Sequence, residues 1–249
     1  MADNAQMKLG RKAVVTDSRT LRLAAYLSPA LPPPPPALDW TGGVTEWGMM
    51  CNDRLGCCTI AGAGHAIQVW TANTGKMETV ADPEIEEYYA KWDGYVPGDV
   101  STDNGGVELD VLKDWKSQGL DGNGLLAFAD ANVVNLQEIR QAIALFGGVY
   151  IGISLPLTAQ TQDVWDVASD AGSDASKGSW GGHCVFVASY DQSSFTCITW
   201  GALKTMTLAF WLAYCDEAHA LLGKSWLGTH QAPNGFDQDQ LMADLKLIR

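Results

Sequence analysis

Asn52-Asp53-Arg54-Leu55-Gly56-Cys57-Cys58-Thr59-Ile60-Ala61-Gly62-Ala63-Gly64-His65-Ala66-Ile67-Gln68-Val69-Trp70 is the stretch whose reading decides the fold. Its first six residues are polar or glycine-bearing and suit a loop. From Cys58 onward there is no Asp, Glu, Lys or Arg, and the residues are small or apolar. Two glycines lower helix propensity but let backbones approach closely. The pattern predicts a buried helix over 58–73 with a polar loop at its start. A cysteine placed there meets free backbone N–H groups and the positive end of the helix dipole, both of which favour a thiolate. The expectation is a depressed pKa at Cys58.

A thiolate needs a base. Gly182-His183-Cys184-Val185-Phe186-Val187-Ala188-Ser189-Tyr190 reads as an apolar strand, opened by the histidine after Trp180-Gly181-Gly182. An imidazole is costly on a core strand unless it reaches a partner or a cleft. Cysteine on a helix start and histidine on a strand are the components of a nucleophile–base pair.

The remaining elements follow from punctuation. Asp82-Pro83-Glu84 reads as a helix start with Asp82 as cap, proline in the first turn and early carboxylates. Val107 to Gln118 has helical spacing and stops at Gly119; 135–145 is a helix capped by Asn135 and ended by Gly147-Gly148. Val149–Leu155 reads as a strand, 158–166 as a short helix, and Phe195 to Trp200 as a strand in a hairpin with 182–190. Thr205 to Trp211 leads into a final helical stretch through Leu222. Helices come first and strands later, an α+β order. The division predicted is an N-terminal arm and spacer over 1–37, then one domain over 38–249, helical over about 38–125 and strand-rich over about 126–249. The arm is expected to lie on the domain surface. Pro32 to Pro36 form five consecutive prolines, a stiff polyproline II spacer and, less specifically, an SH3-type ligand.

Four islands resemble the papain-like cysteine peptidases. The segment from Leu38-Asp39-Trp40 to Trp70 is similar to that family's opening: an Asp-Trp, a polar oxyanion residue, a Gly- and Cys-bearing loop, then the nucleophile heading the central helix. Asn104-Gly105-Gly106 resembles its cleft-lining Asn-Gly-Gly loop. Gly182 to Asp191 resembles the catalytic histidine strand and the turn after it, and Thr199-Trp200-Gly201 the Ser-Trp-Gly that shields the histidine. The resemblance implies a papain-like α+β fold, with a buried central helix, an antiparallel strand-rich half and a cleft between them. It implies Cys58 as nucleophile, His183 as general base and acid, and Asn52 as an oxyanion donor together with the Cys58 N–H. Asn104, Gly105, Gly106, Trp180 and Trp200 would line the cleft. Cys57 adjoins Cys58, and the offset from Asn52 favours Cys58.

Three departures matter. Where the family keeps an asparagine to orient the histidine, this chain has Ile198, so Thr199 or Asp191 must substitute. The arm is shorter than the pro-segments that silence secreted relatives, so zymogen control is not expected. Pairing His183 opposite Ile198 would set Cys184 opposite Cys197, both facing away from the site.

Composition excludes other classes. A net charge of −13 and a pI near 4.5 disfavour nucleic acid as a partner. The absence of an h-region or long apolar run predicts a soluble, cytoplasmic protein with no membrane partner. The six cysteines lack disulfide-scaffold density or zinc spacing, so neither metal nor cofactor is expected. His65 reads as a satisfied core histidine; Asp216 and Glu217 near His219 could suggest a metal, but a polar helix face is the commoner reading. The expected activity is cysteine-dependent acyl transfer on an amide, ester or thioester, by default hydrolysis of a peptide or small acyl substrate. The alternatives are an amide-forming papain-like ligase and a catalytically silent scaffold. Substrate and oligomeric state are not legible.

Overall fold

Helix α1, Cys58–Thr74, is buried from its first residue through Thr71, as its uncharged sequence requires. The structure, a computed structural model, describes residues 7–29, 31–169, 172–227 and 239. Gly62 is where α1 comes closest to the sheet. A Cβ there would lie 3.1 Å from the Tyr150 ring and 3.3 Å from Cys184 Sγ. The Tyr150 hydroxyl donates to the Thr59 carbonyl at 2.8 Å and pins the first turn.

Helices α2 (Asp82–Asp93) and α3 (Glu108–Gln118) pack beside it. Pro83 starts α2 as expected, but Asp82 does not cap it. Its carboxylate instead accepts from the Cys51 N–H, tying α2 to the loop before α1. Helix α4 (Leu136–Phe146) is capped as predicted: Asn135 accepts from the Glu138 N–H, and Gly147 closes it in the left-handed region.

The strands are β1 (Leu38–Asp39), β2 (Leu125–Asp130), β3 (Val149–Leu155), β4 (Gly181–Tyr190), β5 (Ser194–Thr199), β6 (Ala202–Thr207) and β7 (Cys215–Gly223). They form one sheet in the order β2-β7-β3-β4-β5-β6, with β1 paired to β4 and every pair antiparallel. Both faces are covered. Tyr150, Cys184, Phe186 and Ala188 face α1. Val149, Ile151, Val185 and Val187 point to the other face, among residues of α4 and of α5 (Leu208–Tyr214).

Four expectations are corrected. Residues 215–222 form most of β7 rather than a helix. Pairing with β2 on one side and β3 on the other overrides the helix propensity of the Ala- and Leu-rich run. The short helix of 158–166 is a 3-10 turn, Leu157–Thr161. Ile198 pairs with Phe186 rather than His183, and Cys197 with Val187. A bulge between Val187 and Ser189 and the tight turn held by Asp191 reset the ladder. Because strand faces alternate, Cys184 faces α1 while Cys197 packs on the opposite side.

The arm, finally, is exposed over most of its described length but is anchored by three buried side chains. Leu23 and Tyr26 are buried in the core, and Arg11 is 7% exposed. The polyproline run lies mostly exposed, and the Tyr190 hydroxyl donates to the Pro35 carbonyl just before β1. Among the described residues no helix is long and apolar enough to cross a membrane.

The Asn135 cap offers a direct check of this local reading. Asn135→Ala should lower the denaturant midpoint by the equivalent of about 1 kcal/mol with an unchanged m-value. Equal midpoints would show that the cap contributes nothing.

Candidate active site

Cys58 reaches the site because α1 begins there; His183 reaches it because β4 begins two residues earlier. The peptide that joins His183 to Cys184 donates its N–H to Cys58 Sγ, so helix start and strand start meet at the sulfur. Cys57, by contrast, turns its thiol into the preceding loop, towards the Met50 carbonyl.

The imidazole of His183 is held on two sides. Nε2 lies 2.6 Å from Thr199 Oγ1. The Trp200 ring stacks on the imidazole at 4.3 Å between centroids and 8° between planes, and Trp180 lies behind Trp200 at 5.5 Å. Of the two candidates it is Thr199 that touches the ring; Asp191 instead binds Ser193 and Ser194 in its own turn. Trp200 and Gly201 make a two-residue hairpin turn, both with positive φ (46° and 71°). Such turns favour Asn-Gly. A tryptophan there costs of order 1–2 kcal/mol, offset by a ring laid flat over His183. Nδ1 is buried and has no hydrogen-bond partner.

Asn52 is buried; one amide proton goes to the Leu55 carbonyl at 3.0 Å, and its own backbone carbonyl accepts from Lys8. The Asn104-Gly105-Gly106 loop is anchored by the Tyr89 hydroxyl, which accepts from the Gly105 N–H. Asn104 is exposed and bonded to Ser101 O.

The cleft is filled by the chain itself. Residues 8–12 run through it in extended form. Gly106 N–H donates to Gly10 O and Lys12 N–H to Gly106 O, both at 2.8 Å; the N–H groups of Gly10 and Arg11 donate to Gly182 O, and Trp200 Nε1 to Lys8 O. The Gly10 N–H also donates to Cys58 Sγ. A side chain at position 10 has no room, since its Cβ would sit 1.7 Å from the Gly56 carbonyl oxygen.

This cover overturns the expected pKa. Burial pushes the Cys58 thiol up to about 12, outweighing the two N–H donors. It pushes the His183 imidazole down to about 3. Between those values the closed form holds Cys58 as a neutral thiol and His183 as a neutral imidazole.

Beneath the strap lies a second cluster, in which Asp216, Glu217 and His219, read from sequence as a polar helix face, are joined by Arg11, Glu108 and Ser154, which the sequence reading missed. Arg11 Nη1 donates to Glu217 at 2.8 Å, and Nη2 to Asp216 at 2.5 Å and Ser154 at 3.2 Å. Glu108 is 1% exposed, and its carboxyl lies against the Cys184 thiol. His219 Nε2 lies 3.5 Å from Glu217 and 3.9 Å from Glu108, with Nδ1 3.0 Å from Asp130. Glu108, Glu217 and His219 are close enough to share a cation. The available signal was an acidic pair inside an apolar run, masked by reading β7 as a helix. His65 does behave as expected, with Nε2 3.1 Å from the Trp47 carbonyl.

Solved structures share this architecture. Xylellain, a cysteine protease from Xylella fastidiosa, aligns with a TM-score of 0.65 at 13% identity, covering 87% of this chain and 96% of its own. The chain has a papain-like fold. Digestive procathepsin L 3 of the Tenebrio molitor larval midgut aligns at 0.55 and 12% identity, covering 86% and 76%. A Carica candamarcensis cysteine protease in complex with E-64 aligns at 0.51 and 15%, covering 75% and 98%. No family model matches, and no curated protein matches by sequence. With identities this low, the papain-like likeness concerns the fold; the chemistry is read from the residues.

Iodoacetamide tests the closed geometry. In the native full-length chain, Cys58 should label far more slowly than a free thiol of pKa about 8.5, with a rate that climbs with pH beyond 9. Rapid labelling of native Cys58 at pH 7 would contradict a covered sulfur.

Proposed function

We propose that the chain is a papain-like cysteine hydrolase, held latent by residues 8–12, in which Cys58 is the nucleophile and His183 its base. One observation carries the reading: an unpartnered, buried Nδ1 on an imidazole fixed through Nε2 by Thr199 and across its face by Trp200, on the strand whose next amide meets the helix-start sulfur.

In the open form, water returns to the cleft and the desolvation that dominates both shifts is removed. The helix start then favours a thiolate, and His183 can take its proton. Attack on an acyl carbon forms a covalent acyl-enzyme and expels the leaving group with the proton from His183; water deprotonated by His183 then releases the acid. The Cys58 N–H and the second amide proton of Asn52 are the oxyanion donors available by position. Gly106 would bind the substrate main chain as it now binds Gly10, and Trp180 and Trp200 would wall the cleft. Peptides and small acyl compounds are the substrate class; resolution by an amine in place of water would make the same site an amide-forming ligase. Neither a metal nor a cofactor enters these steps.

Thr199 differs from an amide orienter in one respect. A hydroxyl both donates and accepts, so it holds the ring in place without imposing one tautomer. Both steps need Nε2 protonated, so the hydroxyl serves them only in the orientation that accepts from Nε2–H and leaves Nδ1 free to carry the proton.

Gly10→Ala is the direct test because the added methyl cannot coexist with the Gly56 carbonyl. If the Cys58 pKa returns to near 8.5, alkylation at pH 7.5 should rise roughly a thousandfold. Pairing with His183 should carry the rate beyond that of a free thiol; adding His183→Ala should return it to the free-thiol rate, and Thr199→Val should reduce the excess about fivefold, as one hydrogen bond of ~1 kcal/mol predicts. Cys58 labelling that ignores His183 would favour a silent scaffold.

A further inference from the structure

We propose that the pocket formed by Glu108, Ser154, Asp216 and Glu217 is a guanidinium-binding subsite, occupied in the latent chain by Arg11, and that the substrates of the open cleft carry an arginine side chain at this point. The proposal rests on the hydrolase reading only for the word substrate; the pocket itself stands on its own geometry.

The carboxylates come from the domain, not from the arm: Glu108 opens α3, and Asp216 and Glu217 lie on β7. Arg11 arrives on an extended segment held through its main chain, its neighbours bonded to Gly106 and its own N–H to Gly182. Backbone pairing along a cleft with one side chain dropped into a pocket is how extended peptides are recognised. The pocket is shaped for a planar fork. Two guanidinium nitrogens meet three oxygens on Glu217, Asp216 and Ser154, a geometry that an ammonium, a point donor, does not reproduce. Gly152 on β3 makes the room: a Cβ there would fall 2.7 Å from Glu108 Oε1 and 2.8 Å from both Arg11 Cδ and Glu217 Cγ.

Two features set the pocket apart from a fold-locking ion pair. Arg11 Nε is buried without a hydrogen-bond partner, and Glu108 lies against Cys184 rather than bonding the guanidinium, so the resident arginine does not exhaust the site. Beside it lies an open cavity of about 470 Å³ lined by Asp130, Glu138, Asp216, Glu217 and His219, which gives a small cation a route to the carboxylates from solvent. Lys177 pairs with the outer oxygen of Asp216 and leaves the inner one to the guanidinium. Burial, then the neighbouring Glu217 carboxylate, holds the Glu108 carboxyl well above the usual range even with Arg11 in place.

The test is chemical rescue. Arg11→Ala in the full chain removes what ethylguanidinium would replace. The variant should lose several degrees of Tm, and saturating ethylguanidinium chloride should restore about 5 °C, while ethylammonium chloride at equal concentration should not. Should Arg11→Ala fail to fold, Gly10→Ala, which keeps every pocket residue, is titrated with N-acetyl-arginine amide and N-acetyl-norleucine amide; only the first should raise Tm, and Glu217→Gln in that background should abolish the rise. Equal responses to guanidinium and ammonium, or stabilisation by zinc alone, would overturn the proposal. Because none of these readouts needs turnover, rescue without cysteine reactivity would sink the hydrolase reading and leave the pocket, and the reverse result would do the opposite.

Discussion

The whole arrangement depends on one junction: the amide after His183 against the sulfur of Cys58, where the start of a buried helix abuts the start of a central strand. That junction exists because α1 can lie almost on the sheet. Gly62 leaves the space taken by Tyr150 and Cys184, and Tyr150 locks the first turn of the helix from below. A charged residue in α1 or a larger one at position 62 would move the sulfur away from the strand that carries the histidine.

The second constraint is occupancy. A thiol at a helix start should ionise easily, yet burial pushes this one up to about 12 and the His183 imidazole down to about 3. Dipole and N–H donors together are worth less than the water excluded by residues 8–12. The strap is specified by glycines at its closest approaches and by Arg11, whose ion pairs anchor it from beneath. Latency and side-chain recognition thus converge on one segment: what closes the cleft is held by the contacts that an arginine-bearing ligand would compete for.

Much of this was legible in the sequence. An uncharged stretch after a glycine loop specifies a buried helix whatever surrounds it, and Asn135, Gly119 and Gly147 punctuate their helices through local chemistry alone. What failed was non-local. Residues 215–222 carry helix formers but are captured between two strands, and the β4–β5 register shifted through a bulge that no residue type announces. The arm misled in part for a related reason: Arg11 looks like a surface residue, and only the carboxylates gathered by the fold make it a buried one. Thr199, one of two candidates to orient the histidine, needed the fold to be separated from Asp191.

The account turns on residues 8–12 being seated over Cys58 and His183 in the native state. Amide hydrogen exchange of the native full-length chain, resolved by residue, measures that most directly. Gly10, Arg11, Lys12 and Gly106 should all be protected, exchanging together and orders of magnitude more slowly than an unstructured chain. Exchange of the first three at unprotected rates, with Gly106 equally free, would mean that the cleft is open and that the sulfur and imidazole are not held in the neutral, covered state described.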